Sequence, residues 1–237
     1  MSYKENPKTK GSGVVCCIPQ SGTCPNKCPD CFFQSGRSYL EPLIENLPNM
    51  PTKQQVGHRI LRINDGNDSN FLRSEVENAT KTFPLRFFNT AIPELLSRFS
   101  APVVLTVNPG KDTDVKAHLL EQIPKNLMFV RVRTNAWNIE VVKEAVSYYT
   151  DKNVPVILTF MAYYTDTVKH PQYYEWKKRT LNSYWVLKCE TRHFIEDTFY
   201  ENSLVYTCGW RGTFACHRCG NCLREYFATM ERLSPFK

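Results

Sequence analysis

Six short apolar runs recur along the first two thirds of the chain, each with the length and bounding residues of a buried strand. They are Gly13 to Ile18 (GVVCCI), His58 to Asn64 (HRILRIN), Leu85 to Asn89 (LRFFN), Val103 to Val107 (VVLTV), Phe129 to Arg133 (FVRVR) and Val156 to Met161 (VILTFM). Short runs of branched and aromatic side chains between turn-forming residues read as strands. Between them the apolar spacing turns helical, at Tyr39 to Leu47, Ile92 to Phe99, Val115 to Ile123 and Ile139 to Tyr149. A further helix, capped by Asp68 or Ser69, is expected through Phe71, Leu72, Val76 and Ala79. Alternating strands and helices imply parallel strands joined by right-handed crossovers. The expected fold is therefore α/β, a partial (β/α)6 TIM-like barrel over 11–165. A flexible polar tail over 1–10 is expected before it, and a cysteine-rich C-terminal extension over 166–237 after it.

In β/α barrels the chemistry gathers where strands end. That rule selects the loop after the first strand, Asn64 to Asn67 after the second, Asn89 and Thr90 after the third and Asn108 after the fourth. It adds Arg133 to Asn135 after the fifth and Tyr163 with Tyr164 after the sixth. Arg131 and Arg133 lie two apart on a strand and so face the same side, where either could present a bidentate fork to an anion. A salt bridge to a helix is the competing use of each.

Past Asp166 the composition changes. Tyr173, Tyr174 and Trp176 stand among Lys177, Lys178 and Arg179, a mixture able to stack bases and hold phosphates. An amphipathic surface helix is the favoured reading of that stretch, and Tyr184 to Leu187 (YWVL) is a further strand candidate. Hydrophobic content of 42% and charged content of 22% are those of a globular chain. The opening MSYKENPKTKG carries no apolar signal core, and no run reaches the roughly 18 apolar residues of a membrane span. A cytoplasmic location without a membrane partner is expected. The net charge of +7 permits an anionic partner without demanding one.

Ten cysteines in a reducing compartment favour metal or catalytic use over disulfides. Cys16 and Cys17 sit inside the first apolar run and read as small core residues. The others form two groups. Cys24, Cys28 and Cys31 have C-x3-C-x2-C spacing, a three-thiolate set that can hold three irons of a cubane and leave the fourth open; a zinc knuckle is the alternative. Cys208, Cys216, Cys219 and Cys222 form a complete set of four, for a second 4Fe-4S cluster or a zinc ion, with His217 and Cys189 as alternative ligands.

At Cys24, Cys28 and Cys31 the chain resembles the radical S-adenosylmethionine (radical SAM) superfamily. The resemblance implies a catalytic 4Fe-4S cluster on these thiolates, with S-adenosyl-L-methionine bound at the open iron. Reductive cleavage of that cofactor would give a 5′-deoxyadenosyl radical that abstracts hydrogen from a substrate. It also places Asn64, Asp65, Gly66 and Asn67 at the cofactor's amino group. With Asn108, Arg131 and Arg133 these are the expected cofactor-binding residues, and the C-terminal cysteines resemble an auxiliary cluster. No catalytic side chain is assigned. The expected substrate is a small metabolite or nucleobase-like compound, with flavodoxin or ferredoxin as reductant. The alternatives are an activase or peptide-modifying enzyme of the same class, and a non-catalytic zinc or iron–sulfur protein that binds nucleic acid.

Overall fold

The computed structural model describes residues 2–26, 28, 31, 39–40, 45, 47–109, 115–163, 171–178, 183–209 and 216–234. Its centre is a parallel sheet whose strands run β1 (Val14–Cys17), β2 (Ile60–Ile63), β3 (Arg86–Thr90), β4 (Val103–Val107), β5 (Leu127–Thr134) and β6 (Val156–Phe160), side by side in chain order. A seventh parallel strand, Val205–Thr207, extends the sheet beyond β6. The first and seventh strands are both edges, so the sheet is an open half-barrel.

Side chains alternate across each strand, and the alternation divides the core in two. Outward residues such as Val15, Cys17, Leu61, Phe88, Leu105, Val132 and Leu158 belong to one large buried cluster. Its cover comes from α1 (Lys53–Val56), α2 (Arg73–Thr80) and α3 (Ile139–Thr150). The α3 helix buries Val142, Ala145, Val146 and Tyr149, the i, i+3, i+4, i+7 face of an amphipathic helix. Inward residues form a second, smaller cluster: Val14, Ile60, Phe87, Val104, Phe129 and Ile157. A register shift between Val103 and Val104 adds Met128 to that cluster and moves Arg131 and Arg133 onto the inward side.

After β6 the chain makes a three-stranded antiparallel sheet in the order β7 (Ala162–Tyr163), β9 (Tyr184–Leu187), β8 (Tyr174–Lys177). It then forms α4 (Cys189–Thr198), the sheet's seventh strand β10 (Val205–Thr207), α5 (Cys216–Cys219) and α6 (Asn221–Leu233). The α6 helix lies across the inward face. Near its start Asn221 Nδ2 donates to the Thr207 carbonyl at 2.9 Å, and at its far end Arg232 Nη2 donates to the Leu127 carbonyl at 2.8 Å. It therefore runs from the C-terminal ends of the strands back to their starts. Tyr226, 1% exposed, seats its ring 6.3 Å from that of Phe87. Helix and apolar cluster together close the lower half of the concave face.

Four expectations change. The stretch around Tyr173 is not a surface helix: Pro171–Tyr173 is one 3-10 turn, and Tyr174–Lys177 pairs antiparallel with β9. There Tyr174 and Trp176 alternate with Glu175 and Lys177, the period of a strand. Helix α2 begins only at Arg73, because Leu72 is left-handed and Asp68 is used elsewhere. The helices expected over Ile92 to Phe99 and Val115 to Ile123 shorten to 3-10 turns at Leu96–Arg98 and Val115–His118. The sheet has seven strands where six were expected. The helix expected over Tyr39 to Leu47 lies mostly outside the described residues.

Candidate binding site

Along the inward faces of β2 to β6 an apolar residue is followed by a polar one toward the C-terminal end. Ile60 gives way to Arg62, Phe87 to Asn89, Val104 to Thr106, Phe129 to Arg131 and Arg133, and Ile157 to Thr159. The lower half of the concave face is thus hydrocarbon, and the upper half presents guanidinium, amide and hydroxyl groups. A cavity of about 280 Å³ occupies this upper half, roofed by the cysteine loop and by the start of α6. Its walls run from Val14 on the first strand to Cys208 just after the last. The cofactor and metal ligands expected from the sequence, from Cys24 to Cys222, line this one cavity, apart from the alternative ligands Cys189 and His217.

Asp68 fixes the roof. Its carboxylate accepts from Thr90 Oγ1 at 2.6 Å, from the backbone N–H groups of Ala91 at 2.7 Å and Asn70 at 2.8 Å, and from Asn26 Nδ2 at 2.7 Å. Gln20 Nε2 donates to the Asp68 carbonyl at 2.8 Å, and Asn67 Nδ2 to the Gly22 carbonyl at 3.2 Å. The turn after β2 thereby holds the cysteine loop over the strand ends. Asn64 and Asp65 are also engaged. Asn64, at φ +64°, donates to Ser69 Oγ at 3.1 Å, while Asp65 accepts from both Arg62 and Asn6. Arg62 is held firmly charged: burial opposes its charge, but the Asp65 carboxylate prevails.

The two arginines of β5 differ. Arg133 Nε lies 2.8 Å from Met161 Sδ. Arg131 Nη1 donates to Asn89 Oδ1 at 3.2 Å, and the Asn89 amide in turn donates to the Ile63 carbonyl at 2.8 Å. No carboxylate among the described residues pairs with Arg131. On the neighbouring strand Thr159 stands beside Arg133 in the sheet register, and its buried Oγ1 has no hydrogen-bond partner among the described residues.

All ten cysteines are free thiols. Asn108 Nδ2 donates to Cys28 Sγ at 3.4 Å. Burial raises the thiols of Cys24, to about 11, and of Cys28 and Cys216. Cys208 and Cys219 form a pair. Hydrogen bonding with Cys219, then burial and the neighbouring Cys222, push the Cys208 thiol well up. Cys219 is brought down to about 5, first by that bond, then by the backbone N–H groups of Gly209 and Asn221 and the charge of Arg224, against the cost of its own desolvation. The exposed Cys189, 3.7 Å from His193 on α4, stands apart from the cavity.

Among the described residues no three His, Cys, Asp or Glu side chains form a group that could hold a metal ion. This overturns the 4Fe-4S cluster expected at Cys24, Cys28 and Cys31, and the second cluster or zinc expected at Cys208, Cys216, Cys219 and Cys222. The S-adenosyl-L-methionine cofactor and the radical SAM reaction that needed the first cluster fall with it. So do the activase and peptide-modifying variants and the zinc or iron–sulfur nucleic-acid-binding alternative. A metal ion needs several ligand atoms converging on one point, and the described side chains do not converge in that way.

Comparison with family models, with curated proteins and with solved structures finds no match. The resemblance at the C-x3-C-x2-C loop therefore rests on those letters alone. Sequence reasoning passed over Asp68 as a roof brace, Asn89 as the partner of Arg131, and Thr159. The signal that could have found the last two is the apolar-to-polar step repeated along the inward faces of β2 to β6. Among the described residues no helix is long and apolar enough to cross a membrane.

Proposed function

We propose that the protein binds a small anionic molecule, carrying a carboxylate or phosphate, in the upper cavity of an open, partial (β/α)6 TIM-like barrel. The observation that carries this reading is Arg131. It is a half-buried guanidinium facing a cavity of metabolite size, held by one neutral amide and, among the described residues, by no carboxylate. Taking a charge out of water is costly unless it is paired. A ligand anion completes the pair through the two-pronged hydrogen bonding that guanidinium favours. Thr159 Oγ1 supplies a further unmet hydrogen-bonding group, and the apolar lower tier of Phe129 and Ile157 accommodates a carbon skeleton. Ten free thiols suit the reducing cytosol as the place where this happens.

The test is a thermal-shift panel of small carboxylates and phosphates set against their uncharged amides and alcohols. At a hundred times its Kd a ligand adds about 2.7 kcal/mol, which in a chain of this size raises Tm by roughly 5 °C or more. Anionic members are expected to raise Tm in the wild type and to lose that effect in Arg131→Met. Equal stabilisation by uncharged analogues, or full retention in the variant, contradicts the proposal.

A further inference from the structure

We infer that the outer face of α6 is the interface of a symmetric dimer, packed antiparallel against α6 of a second copy of this chain. The inference stands apart from the anion-binding reading above. It rests on the solvent side of the helix whose other side closes the lower barrel.

The helical period separates the two sides. Asn221, Glu225, Tyr226 and Thr229 are buried, while Arg224, Phe227 and Glu231 form an exposed i, i+3, i+7 row on the opposite side. Phe227 is 60% exposed, and Met230, one turn further on, is 41% exposed. The Phe227 ring meets that of Tyr226 edge-on, with 5.6 Å between centroids, so it projects from a helix anchored at both ends. A large aromatic side chain held out from a fixed helix is the kind of group that anchors an interface.

The row is complementary to itself, and this selects a second copy as the partner. Arg224 and Glu231 stand equally far on either side of the midpoint between Phe227 and Ala228, about 5 Å along the axis at a rise of 1.5 Å per residue. A two-fold axis through that midpoint makes the paired helices antiparallel. It brings each Arg224 level with Glu231 of the partner subunit and sets each Phe227 against the small Ala228 of the partner subunit. A symmetric contact needs such a patch, able to meet its own copy. A parallel pairing would instead oppose like charges. Arg224 is placed for the antiparallel contact: its Nε donates to Glu225 Oε1 at 2.8 Å and its guanidinium lies 3.8 Å over the Tyr206 ring, yet the side chain stays 47% exposed. Guanidinium carries five N–H donors, so those beyond Nε can meet a carboxylate from outside. One helix face against another is a small interface, and the dimer is accordingly a weak one, with a Kd of micromolar order.

The experiment is analytical ultracentrifugation of the reduced full-length protein from about 1 μM to about 1 mM, the range that spans such a Kd. The mass is expected to rise from the 27.5 kDa of one chain toward twice that value. Phe227→Asp changes an exposed side chain and is expected to raise Kd roughly tenfold or more, with Tm measured at the monomer-favouring end unchanged. Glu231→Arg opposes two arginines across the two-fold and is expected to weaken the dimer several-fold. Ala228→Cys under mild oxidation is expected to give a 228–228 linked peptide in non-reducing peptide mass spectrometry. A wild-type mass that stays at one chain across the range overturns the dimer and leaves this face to a different partner; that outcome needs no variant to fold. A wild-type dimer indifferent to both Phe227→Asp and Glu231→Arg, or an Ala228→Cys dimer without the 228–228 link, overturns the α6 pairing.

Discussion

Asp68 holds more of the site in place than any cysteine does. One buried carboxylate, 2% exposed, ties together the cysteine loop through Asn26, the end of β3 through Thr90 and Ala91, and its own turn through Asn70. Asp68→Ala leaves these donors stranded under the roof. Hydrogen bonds to a charged group are worth about 1.5–3 kcal/mol each, and donors left unsatisfied cost more than the bonds lost. A loss of about 3 kcal/mol is expected in urea denaturation, against well under 1 kcal/mol for Ser74→Ala on the exposed surface of α2. The sulfurs make a second residue-scale prediction. Cys219 is ionised above about pH 5 and Cys24 only toward about pH 11. Because the thiolate is the reactive form, iodoacetamide labels Cys219 first at neutral pH, and its rate falls as pH drops through about 5. Cys208→Ala removes the leading cause of that shift and moves the fall to higher pH. Labelling of Cys24 ahead of Cys219 at neutral pH contradicts this assignment. The sequence showed these residues as two spacings, from which ligand sets were expected. That all seven line one cavity depends on the path of the chain between them, which spacing does not encode.

At the level of elements, the strands were legible because each carries its period in its own residues. The fourth, Val103 to Val107, lies where the pattern placed it, and β9 likewise at Tyr184 to Leu187. The elements that went unread lack such a pattern or carry two. The seventh strand is only Val-Tyr-Thr, and its place is decided by pairing with β6. In β8 the aromatic and basic residues satisfied a helical reading as readily as an alternating one, and contact with β9 decided between them. Helix α6 is where local pattern and tertiary role join: Cys222, Tyr226 and Thr229 recur on one face, and that face closes the lower barrel. Truncating Phe87 or Tyr226 to alanine opens a cavity between helix and sheet. A cost of about 3–5 kcal/mol is expected for Phe87→Ala, read as a lower denaturation midpoint with an unchanged slope. A loss below 1 kcal/mol would show that α6 is not seated there.

For the whole molecule, the consequential feature is that both ends of the chain converge on one cavity. The N-terminal segment reaches it through Lys8 and through Asn6, which bonds Asp65, and the C-terminal segment through α5 and α6. Cys216 N–H donates to the Lys8 carbonyl at 2.9 Å, joining the two directly. That convergence was not legible in the sequence, where the cysteine groups lie almost two hundred residues apart and were treated as separate centres. What the sequence did carry is the rule that strand ends collect the polar residues, and it is from those ends that Asn89, Arg131 and Thr159 face the space. The most direct test of the central claim is a crystal structure with the anionic compound that most raises Tm. The account predicts density for its carboxylate or phosphate within about 2.7–3.2 Å of the Arg131 guanidinium nitrogens, with its carbon skeleton over Phe129 and Ile157. A ligand seated outside this cavity, or inside it with its anion away from Arg131, would contradict the account.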